Sequence, residues 1–286
     1  MFAENNDADI ICTVCAKYGF GGTTIPGHKM RTLIKDLFLQ LLASVCWICP
    51  LCIVRRLFPD SIYGRFMRVL ERVCPFCWAY DRRRRESVRA NFEHCASRRE
   101  ALLKLGYDQE AAVRFVTGSA GYLEGPILDV GTGAGHCAVA IAKLGHSLMT
   151  IDTDGAQIGK AKLFAEHYGV VDKIVFRKRP ADAMGFAPAS FASIISYNAL
   201  HHFEKPYEVI DELWRLLRPG GVLIVSDLDE TGFAAVEKMH VAEGKTHPRL
   251  GATVTEAAAH AGALQGCSAS RRQGAHQDVL IMRKST

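Results

Sequence analysis

The chain has 286 residues, of which 49% are hydrophobic and 23% are charged, and its formal net charge at pH 7 is +5. We see neither an internal repeat nor a low-complexity linker, which excludes repeat architectures. This length can hold one α/β domain of about 160 to 190 residues together with an appended region. The basic excess belongs to the first 99 residues, which contain 16 Lys+Arg against 9 Asp+Glu.

Cysteine is concentrated near the amino terminus, where eight of the ten cysteines precede Ala96. The chain contains three Cys-x-x-Cys pairs, the second of which is extended by a further cysteine: Cys12 and Cys15, Cys46 and Cys49 with Cys52, and Cys74 and Cys77. Such pairs can hold structural zinc, an iron–sulfur cluster or a redox disulfide. Because the middle group lies in an apolar run, buried inert thiols are the favoured interpretation, and no metal is predicted.

The apolar run from Leu37 to Val54 contains eighteen residues without a charge. A helix needs about 20 residues to cross roughly 30 Å of bilayer, so the run has the minimum length, and Pro50 argues against a single crossing. A segment lying on the membrane surface, or a hairpin packed on the protein, fits equally well. No cleavable signal peptide is visible and basic residues follow the run. We therefore expect a cytoplasmic protein with peripheral or single-segment membrane contact through residues 37–54.

The four consecutive arginines from Arg82 to Arg85 could meet anionic lipid, but a solvated helix face is the more ordinary interpretation. No aromatic residues are interleaved with them, so we expect no nucleic-acid partner. Glu86 to Thr117 is predicted to form one or two amphipathic helices. The change in composition predicts a helical, cysteine-rich extension over residues 1–97 and a second domain over residues 98–286.

An apolar run from Ile127 breaks into Gly-x-Gly-x-Gly, ending at Gly135, and continues as a helical sequence. This order predicts a strand, a tight turn and a helix, with glycines that let a ligand lie against the backbone. A second predicted strand, Ser147 to Ile151, ends in Asp152, where an acid can accept hydrogen bonds from both hydroxyls of a ribose. The pattern indicates a site for a nucleoside cofactor.

The details of the turn distinguish between cofactors. Dinucleotide enzymes favour Gly-x-Gly-x-x-Gly, whereas here the third glycine, Gly135, comes one residue early. Asp129, just before the turn, would repel a diphosphate but suits a cationic ligand. The stretch from Leu128 to Gly135 closely resembles the first motif of class I S-adenosylmethionine-dependent methyltransferases. A dinucleotide-binding oxidoreductase is the alternative.

The remaining predicted elements alternate between strand and helix, which gives a doubly wound α/β sheet. They are strands at Lys173 to Lys178, Ser190 to Tyr197, Val222 to Ser226 and Gln277 to Arg283, and helices at Asp154 to Gly169, Lys205 to Leu217 and Thr253 to Leu264. The resemblance covers about Gly125 to Arg283. It implies a mostly parallel, seven-stranded Rossmann-like sheet with an antiparallel hairpin at its edge. Residues 198–203 and 217–223 are similar to the small-molecule branch that includes quinone-biosynthesis methyltransferases.

The resemblance also implies the cofactor, S-adenosylmethionine, and its contacts. Asp129 would hold the amino group of the methionine part, Asp152 the ribose and Asp182 the adenine amino group. The full set of residues expected around the cofactor is Asp129, Gly131, Thr132, Gly133, Gly135, Asp152, Thr153, Asp182, Ala183 and Asn198.

Methyl transfer from a sulfonium is an in-line displacement, so the protein mainly aligns the acceptor and excludes water. A base is required only when the acceptor must lose a proton. Candidates should follow strands four and five, beside the cofactor: Tyr197, His201, His202 and Asp227. His201 is the best single candidate, and a loop histidine that only lines the pocket is the alternative.

A second cluster follows strand five, where His240, Glu243 and His247 share one face if the segment is helical. It could contact the substrate or hold a metal, although Gly244 interrupts the helix. We count His240 among the candidate catalytic residues and predict no metal.

We expect the chain to transfer a methyl group from S-adenosylmethionine to a small molecule. Residues 198–201 lack the acid or Asn before Pro-Pro-aromatic that enzymes acting on nucleic-acid bases or glutamine amides carry. Strand four also lacks the terminal acid of metal-dependent catechol-type enzymes. The alternative is a non-catalytic, S-adenosylmethionine-binding regulatory protein with a cysteine-rich interaction module.

Overall fold

The computed structural model describes residues 27–58, 61–63, 66–67 and 73–286, and its contacts divide the chain into two units, Met1–Ser87 and Val88–Thr286. In the first unit, helices α1 (Gly27–Ile48) and α2 (Pro50–Leu57) are followed by α3 (Pro75–Lys104), which continues into the second unit. The described part of the extension is thus helical, as expected. The predicted domain boundary between residues 97 and 98 stays a prediction, and α3 continues across it.

The apolar run over residues 37–54 does not form one helix. Cys49 separates α1 from α2, and Pro50 occupies the first position of the new helix, where its missing N–H costs nothing. In the described part of the chain, no helix combines the length and hydropathy that a membrane crossing requires. Cys12 and Cys15 lie outside the described residues, and so does the side chain of Cys46.

The second unit is built on one seven-stranded sheet with the strand order β3-β2-β1-β4-β5-β7-β6. Strands β1 to β5 are parallel, while β7 pairs antiparallel with both β5 and β6. The strands are β1 (Ile127–Val130), β2 (Leu148–Asp152), β3 (Ile174–Lys178), β4 (Phe191–Tyr197), β5 (Leu217–Leu228), β6 (Cys267–Gly274) and β7 (Gln277–Lys284). The expected fold, with its edge hairpin, is confirmed.

Helices cover both faces of this sheet. They are α4 (Gln109–Gly118), α5 (His136–Lys143), α6 (Gly155–His167), α7 (Pro206–Leu216), α8 (Glu230–Ala242) and α9 (Val254–Ala261). Successive residues of β1 point to opposite faces, so Ile127 joins one core cluster while Leu128 and Val130 join the other. All seven residues of β4 are buried. Each large apolar side chain buried in this way contributes about 1.5–3 kcal/mol.

The fifth strand begins earlier than the sequence predicts. Helix α7 ends at Leu216, one residue before the predicted end, and β5 starts at Leu217 rather than Val222 and includes Pro219. The additional residues pair irregularly with β4, because the register shifts between Phe191 and Ser193. The shift does not affect the carboxyl end of β5, which lies beside those of β1, β2 and β4 at one edge of the sheet.

Candidate functional site

The loop after β1 has a conformation that requires glycine. Gly131 has a φ of +85°, and a Cβ there would lie 2.6 Å from the Cβ of Ala199. The backbone N–H groups of Gly131 and Thr132 both donate to the carbonyl of Ile151, at 3.0 and 2.9 Å. A Cβ on Gly133 would meet nothing within 4 Å, so the loop presents bare backbone to open space.

Asp152, at the end of β2, is fixed by this loop. Its Oδ2 accepts a hydrogen bond of 2.8 Å from the backbone N–H of Gly133, and its Oδ1 accepts one of 2.9 Å from Asp154. Each carboxylate oxygen can accept a further hydrogen bond. The carboxylate is therefore positioned to accept hydrogen bonds from paired hydroxyl groups of a ligand.

A first cavity of about 670 Å³ lies against this loop. Seven of the ten residues expected around the cofactor line it: Gly131, Thr132, Gly133, Asp152, Thr153, Asp182 and Asn198. The sequence did not identify Gln109, Gln157 and Arg179, which also line the cavity. These three side chains carry no recognisable motif, and only the fold brings them to the site.

The other three expected residues, Asp129, Gly135 and Ala183, do not line the cavity. Asp129 is buried behind the loop, where its Oδ2 accepts a 2.6 Å hydrogen bond from Thr150 Oγ1, which also lies 2.7 Å from Thr132 Oγ1. Burial raises the pKa of Asp129 to about 6, against the lowering effect of the Thr150 hydroxyl. Its Oδ1 accepts no hydrogen bond from the described residues. Gly135 faces Ala161 of α6.

A second cavity of about 500 Å³ adjoins the first. The two share part of their walls, in residues Gln109, Ala134, His136, Gln157, Asn198 and His202. The second cavity is also lined by four more histidines, His94, His201, His240 and His247, and by apolar side chains that include Leu102 and Met239. It therefore combines imidazole groups and other polar side chains with apolar ones.

His201 is held by Asp227 at two points. Its Nδ1 lies 2.6 Å from Asp227 Oδ1, and its backbone N–H donates to Oδ2 at 2.8 Å. Asp227 is buried and also accepts from the backbone N–H of Leu228. A carboxylate only accepts hydrogen bonds, so we assign the ring proton of His201 to Nδ1. Asp227 lines neither cavity, and it contacts His201, which lines the second cavity.

The other nitrogen of His201, Nε2, lies 3.0 Å from Nε2 of His247. With the proton of His201 on Nδ1, His247 is the donor in this hydrogen bond. Burial lowers the pKa of His247 and of His202 to about 4, so both rings are neutral near pH 7. The ligating nitrogens of His201, His202 and His247 lie within 4.8 Å of one another, a spacing that could also admit a metal ion.

His240 and Glu243 do not form a common ligand set with His247, because both contact Arg98 instead. Glu243 forms an ion pair with Arg98, and a second with Lys245 at 2.8 Å. Nε2 of His240 lies 3.3 Å from Nη2 of Arg98, and the pKa of His240 is lowered, by burial first and by this guanidinium second. His240 therefore lies on the wall of the second cavity, next to a cation.

Tyr197 belongs to a buried hydrogen-bond cluster around Tyr107. The Tyr107 hydroxyl lies 3.1 Å from that of Tyr197, and it accepts from Asn198 Nδ2 at 3.2 Å and from Gln277 Nε2 at 3.1 Å. Burial raises the pKa of Tyr197 well above its ordinary value, so its hydroxyl keeps its proton at neutral pH. Tyr107 precedes Tyr197 by 90 residues, and no pattern in the sequence indicates that the two side chains are in contact.

Comparison with known proteins agrees with this geometry. Residues 128–225 match the family model described as a methyltransferase domain. Over 98 residues the chain is 35% identical to the tRNA 5-carboxymethoxyuridine methyltransferase of Escherichia coli (strain K12), which covers 34% of this chain and 38% of that protein. It is 29% identical over 131 residues to the ubiquinone biosynthesis O-methyltransferase of Psychrobacter arcticus, covering 46% of this chain and 50% of that protein. The chain thus spans half or less of the length of these relatives.

Solved structures share the fold. The PH0226 protein from Pyrococcus horikoshii OT3 superposes with a TM-score of 0.52 and 16% identity, covering 61% of this chain and 89% of that one. An S-adenosyl-L-methionine-dependent methyltransferase described as putative, from Methanococcus maripaludis, superposes with a TM-score of 0.50 and 16% identity, covering 62% and 87%. Residues 128–225, which include the glycine loop and most of the parallel strands, are thus similar to a methyltransferase domain, and the fold is shared with these solved structures.

Proposed function

We propose that the chain transfers a methyl group from S-adenosylmethionine to a small molecule. The observation that carries this proposal is the pair of adjoining cavities. One is lined by the glycine loop and Asp152, and the other by six histidines, of which His136 and His202 line both cavities. A cofactor in the first cavity would lie beside an acceptor in the second. Holding two reactants side by side in this way supplies a large part of the rate enhancement of a displacement reaction.

The first cavity suits this cofactor. Its volume of about 670 Å³ is within the usual range for ligand sites. Asp152 accepts from the ribose hydroxyls with the lone pairs that Gly133 and Asp154 leave available, and Asp182 accepts from the adenine amino group. Asn198 contributes an Oδ1 that is buried and has no hydrogen-bond partner among the described residues. The bare backbone at Gly133 allows close approach of the ligand.

Asp129 does not line the first cavity. Its carboxyl group lies behind the loop and not on the cavity wall, so we propose that it acts on the cofactor through the loop that it supports. Contact with the methionine amino group, directly or through a water molecule, stays a prediction.

The cofactor supplies an activated methyl carbon on a sulfonium leaving group, and the residues of the chain position the acceptor and take up its proton. We propose that His201 is the acid–base residue, since Asp227 orients its ring and stabilises the imidazolium that forms. A proton leaving the acceptor can be taken up at Nδ1 of His247 while the Nε2–H of His247 passes to Nε2 of His201. The positive charge then rests on His201, beside the carboxylate of Asp227.

The acceptor is proposed to be a small, partly apolar molecule with an ionisable proton. The second cavity supports this size, since it measures about 500 Å³ and its wall includes Leu102, Leu228 and Met239. By their names, one of the relatives above methylates tRNA and the other belongs to ubiquinone biosynthesis. The test must therefore distinguish a small-molecule acceptor from a nucleic-acid acceptor. A cytoplasmic location and surface contact of residues 37–54 with a membrane also stay predictions.

Two measurements test the proposal. Calorimetric titration of the purified chain with S-adenosylmethionine, S-adenosylhomocysteine and NAD should show micromolar binding of the first two and none of NAD. Labelled methyl transfer should then be measured with a panel of quinols, phenols, sterols and bulk tRNA, and we expect label in the small molecules. Label in tRNA would overturn the small-molecule acceptor. Cofactor binding without transfer to any acceptor would favour the regulatory alternative.

A further inference from the structure

The first unit brings together two cysteine motifs of the same form, Cys49-Pro50-Leu51-Cys52 and Cys74-Pro75-Phe76-Cys77. Each motif starts a helix: α2 begins at Pro50, and α3 begins at Pro75. The residue after each motif donates the same hydrogen bond, from Ile53 N–H to the carbonyl of Cys49 at 3.0 Å and from Trp78 N–H to that of Cys74 at 2.9 Å. The two motifs therefore have the same local conformation, with the first cysteine before the helix and the second in its first turn.

The two motifs pack against each other through their cysteines. Cys52 and Cys77, one from each motif, are both 4% exposed, and their sulfur atoms lie 3.6 Å apart. Cys49 and Cys74, each half-buried, pack against this pair. We refer to Cys49, Cys52, Cys74 and Cys77 as the four-cysteine cluster.

We propose that the four-cysteine cluster binds one Zn²⁺ ion through its four thiolates. In tetrahedral zinc sites the Zn–S distance is about 2.3 Å, which places neighbouring sulfur atoms about 3.8 Å apart. The sulfur atoms of Cys52 and Cys77 are close to this separation, whereas Cys49 and Cys74 pack against the pair, and their sulfur atoms must move inward to complete the tetrahedron. A four-iron cluster would hold its cysteine sulfurs farther apart, because each sulfur binds a different iron ion. Binding releases the four thiol protons to solvent.

The composition of the first unit gives an independent reason for a structural ion. Among its described residues, only Ala43, Cys52, Met67, Cys77 and Ala79 are buried apolar side chains, and two of these five belong to the cluster. Large apolar side chains such as Phe38, Leu41 and Trp78 are exposed instead. These few buried apolar side chains contribute little stability, and small units commonly obtain additional stability from a metal or a disulfide.

The interpretation that the sequence favoured, inert buried thiols, rested on the apolar run around Cys49 and Cys52. The structure ends α1 within that run and turns the chain, so that Cys49 and Cys52 face the second motif. Phe76 and Tyr80 also pack against the cluster and shield it from water, as around closed structural zinc sites.

The test is metal analysis of the full-length chain, purified under reducing conditions with zinc in the growth medium. We expect one zinc per chain, and we expect cobalt replacement to give the intense visible and near-ultraviolet bands of a tetrahedral thiolate site. The double variant Cys52→Ser/Cys77→Ser should lose the metal. The control Cys267→Ser, which changes a half-buried cysteine on β6, should keep it.

A second pair of variants separates ligation from folding. Cys49→His should keep one zinc per chain, because imidazole can replace a thiolate, whereas Cys49→Ala should weaken zinc binding at least tenfold in a chelator competition. S-adenosylmethionine titration of each variant would show that the second unit is folded. The proposal is overturned if the parent contains no zinc while binding the cofactor, if iron and its visible absorption are found instead, or if the double variant keeps the metal.

Discussion

The two cavities of the second unit are built in different ways. The first takes most of its wall from the ends of β1, β2 and β4 and from the backbone of one glycine loop. The second takes its polar groups from side chains far apart in the sequence, such as Arg98, Tyr107, His201 and His247. A site made of backbone needs glycines at fixed spacing, so it leaves a motif in the sequence. A site made of converging side chains leaves none, and its residues can change with the acceptor while the fold remains.

This contrast predicts that changes in the second cavity reduce turnover and spare cofactor binding. His201→Ala is the strongest case, because it removes the proposed acid–base group and leaves Asp227 buried without its ring partner. We expect turnover to fall by about 10²- to 10⁴-fold, with the affinity for S-adenosylhomocysteine within twofold of the parent. Steady-state methyl transfer and calorimetry measure the two effects.

A matched control exists for that variant. His260 on α9 also contacts a carboxylate, with Nε2 2.7 Å from Asp211 Oδ1, but this pair lies outside both cavities. His260→Ala should leave turnover unchanged. Equal losses in the two variants would show that the effect at position 201 is structural.

The buried carboxyl group of Asp129 should make the free energy of unfolding depend on pH. Asp129 has a folded pKa of about 6 against an ordinary value of 3.8, so it costs stability when ionised. Its contribution is fully present below pH 3.8 and is lost as the pH rises through 6, by at most about 3 kcal/mol. Asp129→Asn does not titrate, so its unfolding free energy relative to the parent should increase from pH 4 to pH 7.5.

Denaturant unfolding of the cofactor-free chain at several pH values measures this difference. Asp172→Asn, at an exposed position before β3, is the control and should show a constant difference from the parent. If Asp129→Asn showed a constant difference too, the buried carboxyl group would not titrate in this range.

The same contrast explains how much of the molecule could be predicted from the sequence. Local patterns predicted six of the seven strands and the glycine turn, because apolar runs, glycines and the strand-ending Asp152 act at their own positions, whereas β6 and most of the expected cofactor residues came from the family resemblance. Asp129 could not be placed, because its hydrogen bond to Thr150 depends on how two strands pair. Asp227 was identified at the end of β5, but its two contacts with His201 became visible only in the folded chain. The early start of β5 was missed because Pro219 and Gly220 ordinarily end an element.

Replacement of Asp152 tests the cofactor side of the comparison. Asp152→Ala would leave two ribose hydroxyls without acceptors. It would also remove the carboxylate that accepts hydrogen bonds from the N–H groups of Gly133 and Asp154. We expect the affinity for S-adenosylmethionine to fall by about 1–3 kcal/mol, or about 5- to 150-fold. Turnover at saturating cofactor should change much less than in His201→Ala. If Asp152→Ala bound the cofactor as tightly as the parent does, the ribose would lie elsewhere.

The smallest effect is expected at the border between the cavities. Tyr197 lines the first cavity and contacts Tyr107, which lines the second. Burial raises the pKa of Tyr197, so its hydroxyl cannot serve as a base near pH 7, and we propose that it is a positioning residue rather than a catalytic one. Tyr197→Phe removes one hydrogen bond, worth about 1 kcal/mol, and should lower turnover by less than tenfold without shifting its pH profile. Tyr107→Phe removes the hydroxyl shared by three hydrogen bonds and should lower turnover more than Tyr197→Phe does, also without shifting the pH profile.

If Tyr197→Phe instead abolished turnover, or moved the pH profile, Tyr197 would carry the proton that we assign to His201.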